Sequence, residues 1–145
     1  MRETLAVAAG IGPAIYRRPG ESEDLYKIRF DDLLGIVRTS VQGFWNMGEA
    51  ERYIRDLESV VGELRRRGER VRVLVDRRGS PFFSSAVAER FGRMNREVYG
   101  GHDDRIAIVV DSSLAKIQLG RLLTHVGSKA FLSLGAAETW LQSQG

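Results

Sequence analysis

The stretch Arg70-Val-Arg-Val-Leu-Val-Asp76, followed by Arg77-Arg-Gly-Ser-Pro-Phe-Phe83 and Ser84-Ser85-Ala86, decides the fold. Val71, Val73, Leu74 and Val75 form a short apolar run rich in β-branched side chains, closed off by charge, Gly79 and Pro81. A run of that length reads as a strand buried on both faces, as in the middle of a parallel sheet. Asp76 ends the strand, Gly79 and Pro81 shape a turn, and Ser84 or Ser85 offers a hydroxyl to cap the next helix. Strand, tight loop and helix start make one βα unit. In open α/β sheets, ligands collect beyond the carboxyl ends of such strands.

On the N-terminal side, Leu25-Tyr-Lys-Ile-Arg-Phe30 places Leu25, Lys27 and Arg29 on one side and Tyr26, Ile28 and Phe30 on the other. That alternation predicts a half-buried strand, Asp31-Asp32 predicts a turn, and Leu33–Val41 returns as the second strand of a hairpin. Asn46 and Glu49 have the spacing of a capping box. In the helix they open, Ala50, Tyr53, Ile54, Leu57, Val60, Val61 and Leu64 make one apolar face. Glu51–Arg55 and Glu63–Arg67 are supporting pairs one turn apart, and Gly68 stops the helix.

On the C-terminal side, the helix opened by Ser84-Ser85 buries Val87, Phe91, Met94 and Val98. Gly100-Gly101-His102-Asp103 is a loop, and Arg105–Asp111 is a second buried strand. Ser112 or Ser113 caps a helix bearing Leu114, Ile117, Leu119, Leu122 and Leu123. Lys129–Leu134 is a last strand and Ala136–Gln142 a last helix. The order ββαβαβαβα predicts an α/β domain in which a β-hairpin is followed by βα crossovers. Its sheet is five-stranded, mixed but mostly parallel, and flanked by helices. If each crossover joins parallel neighbours, the loops 43–46, 77–83 and 111–113 converge on one rim, together with the approach to the first strand. Residues 1–24 read as an N-terminal arm and linker, with 25–145 as the domain. Leu5–Tyr16 of the arm is apolar but broken by Gly10, Gly12 and Pro13, and is expected to dock on the rim as a cover.

The chain has 145 residues, no cysteine and two histidines, His102 and His125, which excludes disulfides, thiolate chemistry and His-rich metal clusters. Neither histidine has a nucleophile at an evident position, so a hydrolytic triad is unsupported. No catalytic residues, metal or cofactor are expected. Net charge is +3, and the positive charge is nearly all arginine, densest at Arg65-Arg66-Arg67 with Arg70 and Arg72. A helix end carrying cations that complement its dipole accounts for that cluster more simply than nucleic acid does. No run approaches the roughly 18 apolar residues of a membrane span. A cytoplasmic protein is expected.

The Val/Leu strand with Asp76, Gly79, an aromatic pair and Ser84-Ser85 opening a helix resembles the STAS family, the sulfate-transporter and anti-sigma-factor-antagonist domains. Together with the Arg105-Ile-Ala-Ile-Val-Val run and the closing Phe131, Ala137 and Trp140-Leu141, it is more closely similar to the compact bacterial SpoIIAA-like branch. The resemblance covers about Leu25 to Leu141. It implies a STAS-like fold and a regulatory or binding role without enzyme activity. In the family's regulatory members an Asp-Ser pair at this helix start carries a serine that a partner kinase phosphorylates. By position Ser85 matches that serine and Asp76 the acidic residue ending the strand, while Ser84 stands in place of the family's Asp.

Two readings therefore stand side by side. In the first, Phe44, Trp45, Asp76, Arg77, Arg78, Phe82, Phe83 and Ser84 form a rim that docks a protein partner or a small apolar, lipid-like ligand, with the inner face of the membrane a further contact and a homodimer compatible. In the second, Ser85 is a phosphorylatable switch, its phosphate meeting a helix N-terminus and nearby Arg77 and Arg78. The plainer alternatives are that Ser84 and Ser85 only cap the helix and that Phe82 and Phe83 only pack. A receiver-like phosphoacceptor built on Asp31-Asp32, Asp76, Ser112 and Lys129 ranks below both. Leu33–Val41 favours strand where a receiver needs a helix.

Overall fold

A computed structural model describes residues 15–16, 26–79, 83–99, 103–123 and 127–143. The strands are β1 (Ile15–Tyr16), β2 (Tyr26–Asp31), β3 (Ile36–Val41), β4 (Arg72–Asp76), β5 (Arg105–Val109) and β6 (Ser128–Phe131). The helices are α1 (Met47–Arg66), α2 (Ser85–Tyr99), α3 (Ser113–Gly120) and α4 (Leu134–Gln142). The sheet runs in sequence order from β1 to β6; β1–β2 and β2–β3 pair antiparallel, and β3 through β6 pair parallel. The expected hairpin and five-stranded mixed sheet are present. A sixth, two-residue strand is added by the arm, where Ile15 and Tyr16 pair with Arg29 and Ile28. Being antiparallel to β2, β1 runs toward the rim. The rest of the arm, with the expected cover at Leu5–Ala14, lies outside the described residues.

Because the parallel strands step across the sheet in one direction, right-handed crossovers put their connecting helices on one face. Strand residues of that face, among them Ile28, Val37, Val73, Val75, Ile106 and Ile108, share a core with the apolar face of α1 and with Val87 and Met94 of α2. Partly buried Ala115 and Leu119 of α3 pack on the same core. Helix α4 has no further strand to reach, and it covers the opposite face through Ala137 and Leu141 against Ile36, Leu74, Ala107 and Val109.

Three arginines reach the ends of helices other than their own. Arg72, 4% exposed, donates to Leu141 O and Asp103 O; Arg105 donates to Trp140 O; and Arg65 pairs with Asp104 and donates to Val98 O. Val98 O, Trp140 O and Leu141 O lie in last turns, where carbonyls lack intrahelical partners.

Several boundaries differ from the sequence reading. The second hairpin strand starts at Ile36, not Leu33, because Gly35 takes φ +69° and closes a turn in which Leu33 is 92% exposed. Asp31 accepts hydrogen bonds from the Leu33 and Leu34 amides there. Glu51 reaches across to Arg90 of α2 at 2.7 Å. Helix α3 stops at Gly120, and its Leu114 and Ile117 face solvent instead of the core. Strand β6 ends at Phe131, since the Ser133 hydroxyl accepts from the Ala136 amide and starts α4 two residues early.

Candidate functional site

The parallel register brings the carboxyl ends of β3, β4 and β5 to one rim, as the crossover argument requires. Trp45, leaving β3, stacks on Phe83, leaving β4, with ring centroids 5.6 Å apart. Trp45 is 1% exposed, and its indole N–H donates to Gln42 O at 2.7 Å. Tyr53 and Phe91 complete the aromatic cluster, at 5.2 Å and 6.1 Å from the Trp45 ring. Trp45 is thus a structural wall. Its neighbour Phe44 is 65% exposed and turns outward.

Strand alternation then sorts the residues after β4. Val73 and Val75 face the α1–α3 side and Leu74 faces α4. Asp76 therefore follows Leu74, and Arg77 follows Val75. Asp76 accepts from the backbone and guanidinium of Arg78, whose hydrogen bond, ahead of opposing burial, holds the carboxyl below its ordinary value. Arg77 instead lies over the Phe83 ring, 4.3 Å from its centroid. Burial lowers the pKa of its guanidinium.

Behind Arg77 and Phe83 a cavity of about 360 Å³ opens between the sheet, α2 and α3. Val75, Ile108 and Val110 form its floor, Phe91 and Met94 one wall, and Leu119 another. Its origin lies in small side chains. Ala88 and Gly92 sit one turn apart on α2, and Ala115 faces them from α3. A Cβ at Gly92 would meet Leu122 O at 3.6 Å, an ordinary contact, so the glycine's effect is the space it leaves. Short α3 buries none of its side chains fully and cannot fill that space.

Few polar groups line the cavity. Ser85, Asp111 and Gln118 are exposed. The Tyr53 hydroxyl shares a 2.9 Å hydrogen bond with Thr39, and its pKa is pushed up to about 12 by burial. Asn95 is 4% exposed, and its buried Oδ1 has no hydrogen-bond partner. At the mouth the Ser84 hydroxyl accepts from the Val87 amide at 3.3 Å, which makes Ser84 the cap of α2. Ser85 stands exposed in the first turn.

Of the sequence-derived rim, Arg77 and Phe83 line the cavity with Ser85, and Trp45 backs it. Phe44, Asp76, Arg78 and Ser84 stand outside its lining. Phe82, His102 and His125 lie outside the described residues. Sequence reasoning missed Asn95 and Tyr53 as lining groups. Asn95 was detectable, because it follows Phe91 by four residues on the buried face of α2. Asp31 lies at the hairpin end of β2, bound to Arg38 at 2.9 Å, far from the rim that a receiver site would need. Among the described residues, no group of three or more His, Asp or Glu side chains is placed to hold a metal ion, and no helix is long and apolar enough to cross a membrane.

No family profile matches the chain, and no curated protein does. A solved structure is similar to it: an uncharacterized protein of the DUF3478 family with a SpoIIAA-like fold, from Shewanella loihica PV-4. The likeness has a TM-score of 0.55 at 18% identity and covers 91% of this chain and 94% of that one. The chain has a SpoIIAA-like fold, and at this identity the likeness establishes the fold alone.

Proposed function

We propose that this chain is a non-enzymatic, STAS-like binding module that takes a small apolar, lipid-like ligand in the cavity behind Arg77 and Phe83. One observation carries the reading, namely an apolar-lined space of about 360 Å³ between the sheet, α2 and α3. Protein interiors rarely leave voids larger than a water, whereas ligand sites occupy about 300–1,000 Å³. The polar groups around it suit holding more than chemistry. Tyr53 is committed to Thr39, and a hydroxyl titrating near 12 is a poor general acid or base at neutral pH. Exposed Phe44, Leu114 and Leu132 give the module an apolar side for meeting a membrane or a protein partner.

The test is titration of the full chain with the neutral dye Nile red, alongside Ala88→Trp, which fills the cavity from α2. Saturable binding by the native protein, lost in a variant with unchanged circular dichroism, supports the reading. Equal binding by both proteins, or none by either, overturns it. The exposed Ser85 hydroxyl beside the α2 N-terminus supports the phosphorylation switch as a second reading. Mass spectrometry of protein isolated from its own cells tests it, since a phosphate at Ser85 is required and a modification confined to other positions refutes it.

A further inference from the structure

The cavity is electrically asymmetric. At its mouth stands Arg77, half-buried, its guanidinium carbon 4.3 Å from the Phe83 ring centroid. Beside it α2 starts, with no acidic residue in its first turn, so the positive end of its dipole is uncompensated there. From Ser85 to Asn95 the lining runs along α2 for about 15 Å, at roughly 1.5 Å per residue. Over that length it is chiefly Ala88, Phe91, Gly92 and Met94. Asp111 also touches the mouth, but it is exposed. Water screens its charge, whereas the field of a half-buried guanidinium is several-fold stronger at the same distance. Guanidinium presents five N–H donors, so a group that keeps one contact can still offer other donors to a carboxylate.

Resting on the reading of the cavity as a ligand site, we infer that its occupant is a single-chain carboxylic acid, with its carboxylate on Arg77 at the α2 N-terminus and its chain lying along α2 toward Asn95. The far end is not wholly apolar, because the unpartnered Asn95 Oδ1 waits there for a donor. The site therefore reads head-group charge at the mouth and chain length by depth.

Calorimetric titration tests this with three probes of equal chain length, all below their micelle concentrations: dodecanoic acid, dodecanol and dodecyltrimethylammonium. The native protein should bind the acid about tenfold more tightly than the alcohol, the increment expected of charge-assisted hydrogen bonds, and the cation more weakly than either. In Arg77→Gln the acid should lose more affinity than the alcohol, so that the preference shrinks to what the α2 N-terminus alone supplies. Arg77→Lys, which keeps the charge but loses the fork, should retain part of the preference. Equal binding of acid and alcohol by the native protein overturns the inference without any variant, as does a preference undiminished in Arg77→Gln. If none of the three probes binds, the cavity reading itself falls.

Discussion

Asn95 offers the sharpest test of the packing around the cavity. Its Oδ1 is buried without a partner, on a residue 4% exposed. A buried acceptor left unpaired costs about 1–3 kcal/mol. Asn95→Leu removes that acceptor at similar length, and leucine also favours a helix interior over asparagine by a few tenths of a kcal/mol. Overpacking ordinarily counts against such a change by roughly 1–3 kcal/mol. Here the cavity beside Asn95 accepts the added volume. The net expectation for the ligand-free protein is a gain of roughly 1–2 kcal/mol, or about 3–6 °C in Tm for a chain of this size. Urea unfolding followed by circular dichroism measures it, with a higher midpoint at unchanged slope. A lower midpoint would refute the reasoning, because it would mean that the amide oxygen is satisfied in the folded protein.

Three further outcomes follow from the same contacts. Arg72→Ala strips donors from Leu141 O and Asp103 O and should cost roughly 2–4 kcal/mol in chemical denaturation, where a loss under 1 kcal/mol would show the arginine to be peripheral. Tyr53 has a folded pKa near 12 against 10.0 for the free group, so the stability it carries is intact below 10.0 and is lost as pH rises toward 12. Tyr53→Phe should therefore flatten the alkaline limb of a melting profile. The Arg38 hydrogen bond, more than opposing burial, holds the Asp31 carboxyl below its ordinary value. Its contribution is present above the unfolded pKa and fades as pH falls through the folded one, so Asp31→Asn should reduce the acid slope below about pH 4.

The sheet was legible because its signals are local. The alternation of Tyr26 and Ile28, the Val73–Val75 run and the Asn46–Glu49 capping box each report a period or spacing that physics ties to one element. The convergence of Trp45 with Phe83 followed from the parallel direction of crossover-joined strands, with no contact needed. What could not be read was the direction of single side chains past an element's end. Asp76 and Arg77 are neighbours in sequence, yet the pleat sends only Arg77 to the cavity. Leu114 and Ile117 looked like core because their spacing is helical, but α3 is short and presents Ala115 and Leu119 inward. The cavity itself is an absence, written as Ala88, Gly92 and Ala115 on two helices whose packing distance no single-helix pattern encodes.

Amide chemical-shift mapping of the isotope-labelled full chain during titration with dodecanoic acid tests directly whether the cavity takes the ligand. The account predicts saturable shifts at Arg77, Ala88, Asn95 and Leu119, which line the cavity from the sheet and both helices, with Leu33 at the opposite end unmoved. Shifts confined to the exposed Phe44, Leu114 and Leu132, with the cavity amides silent, would contradict it and leave only a surface that apolar chains touch.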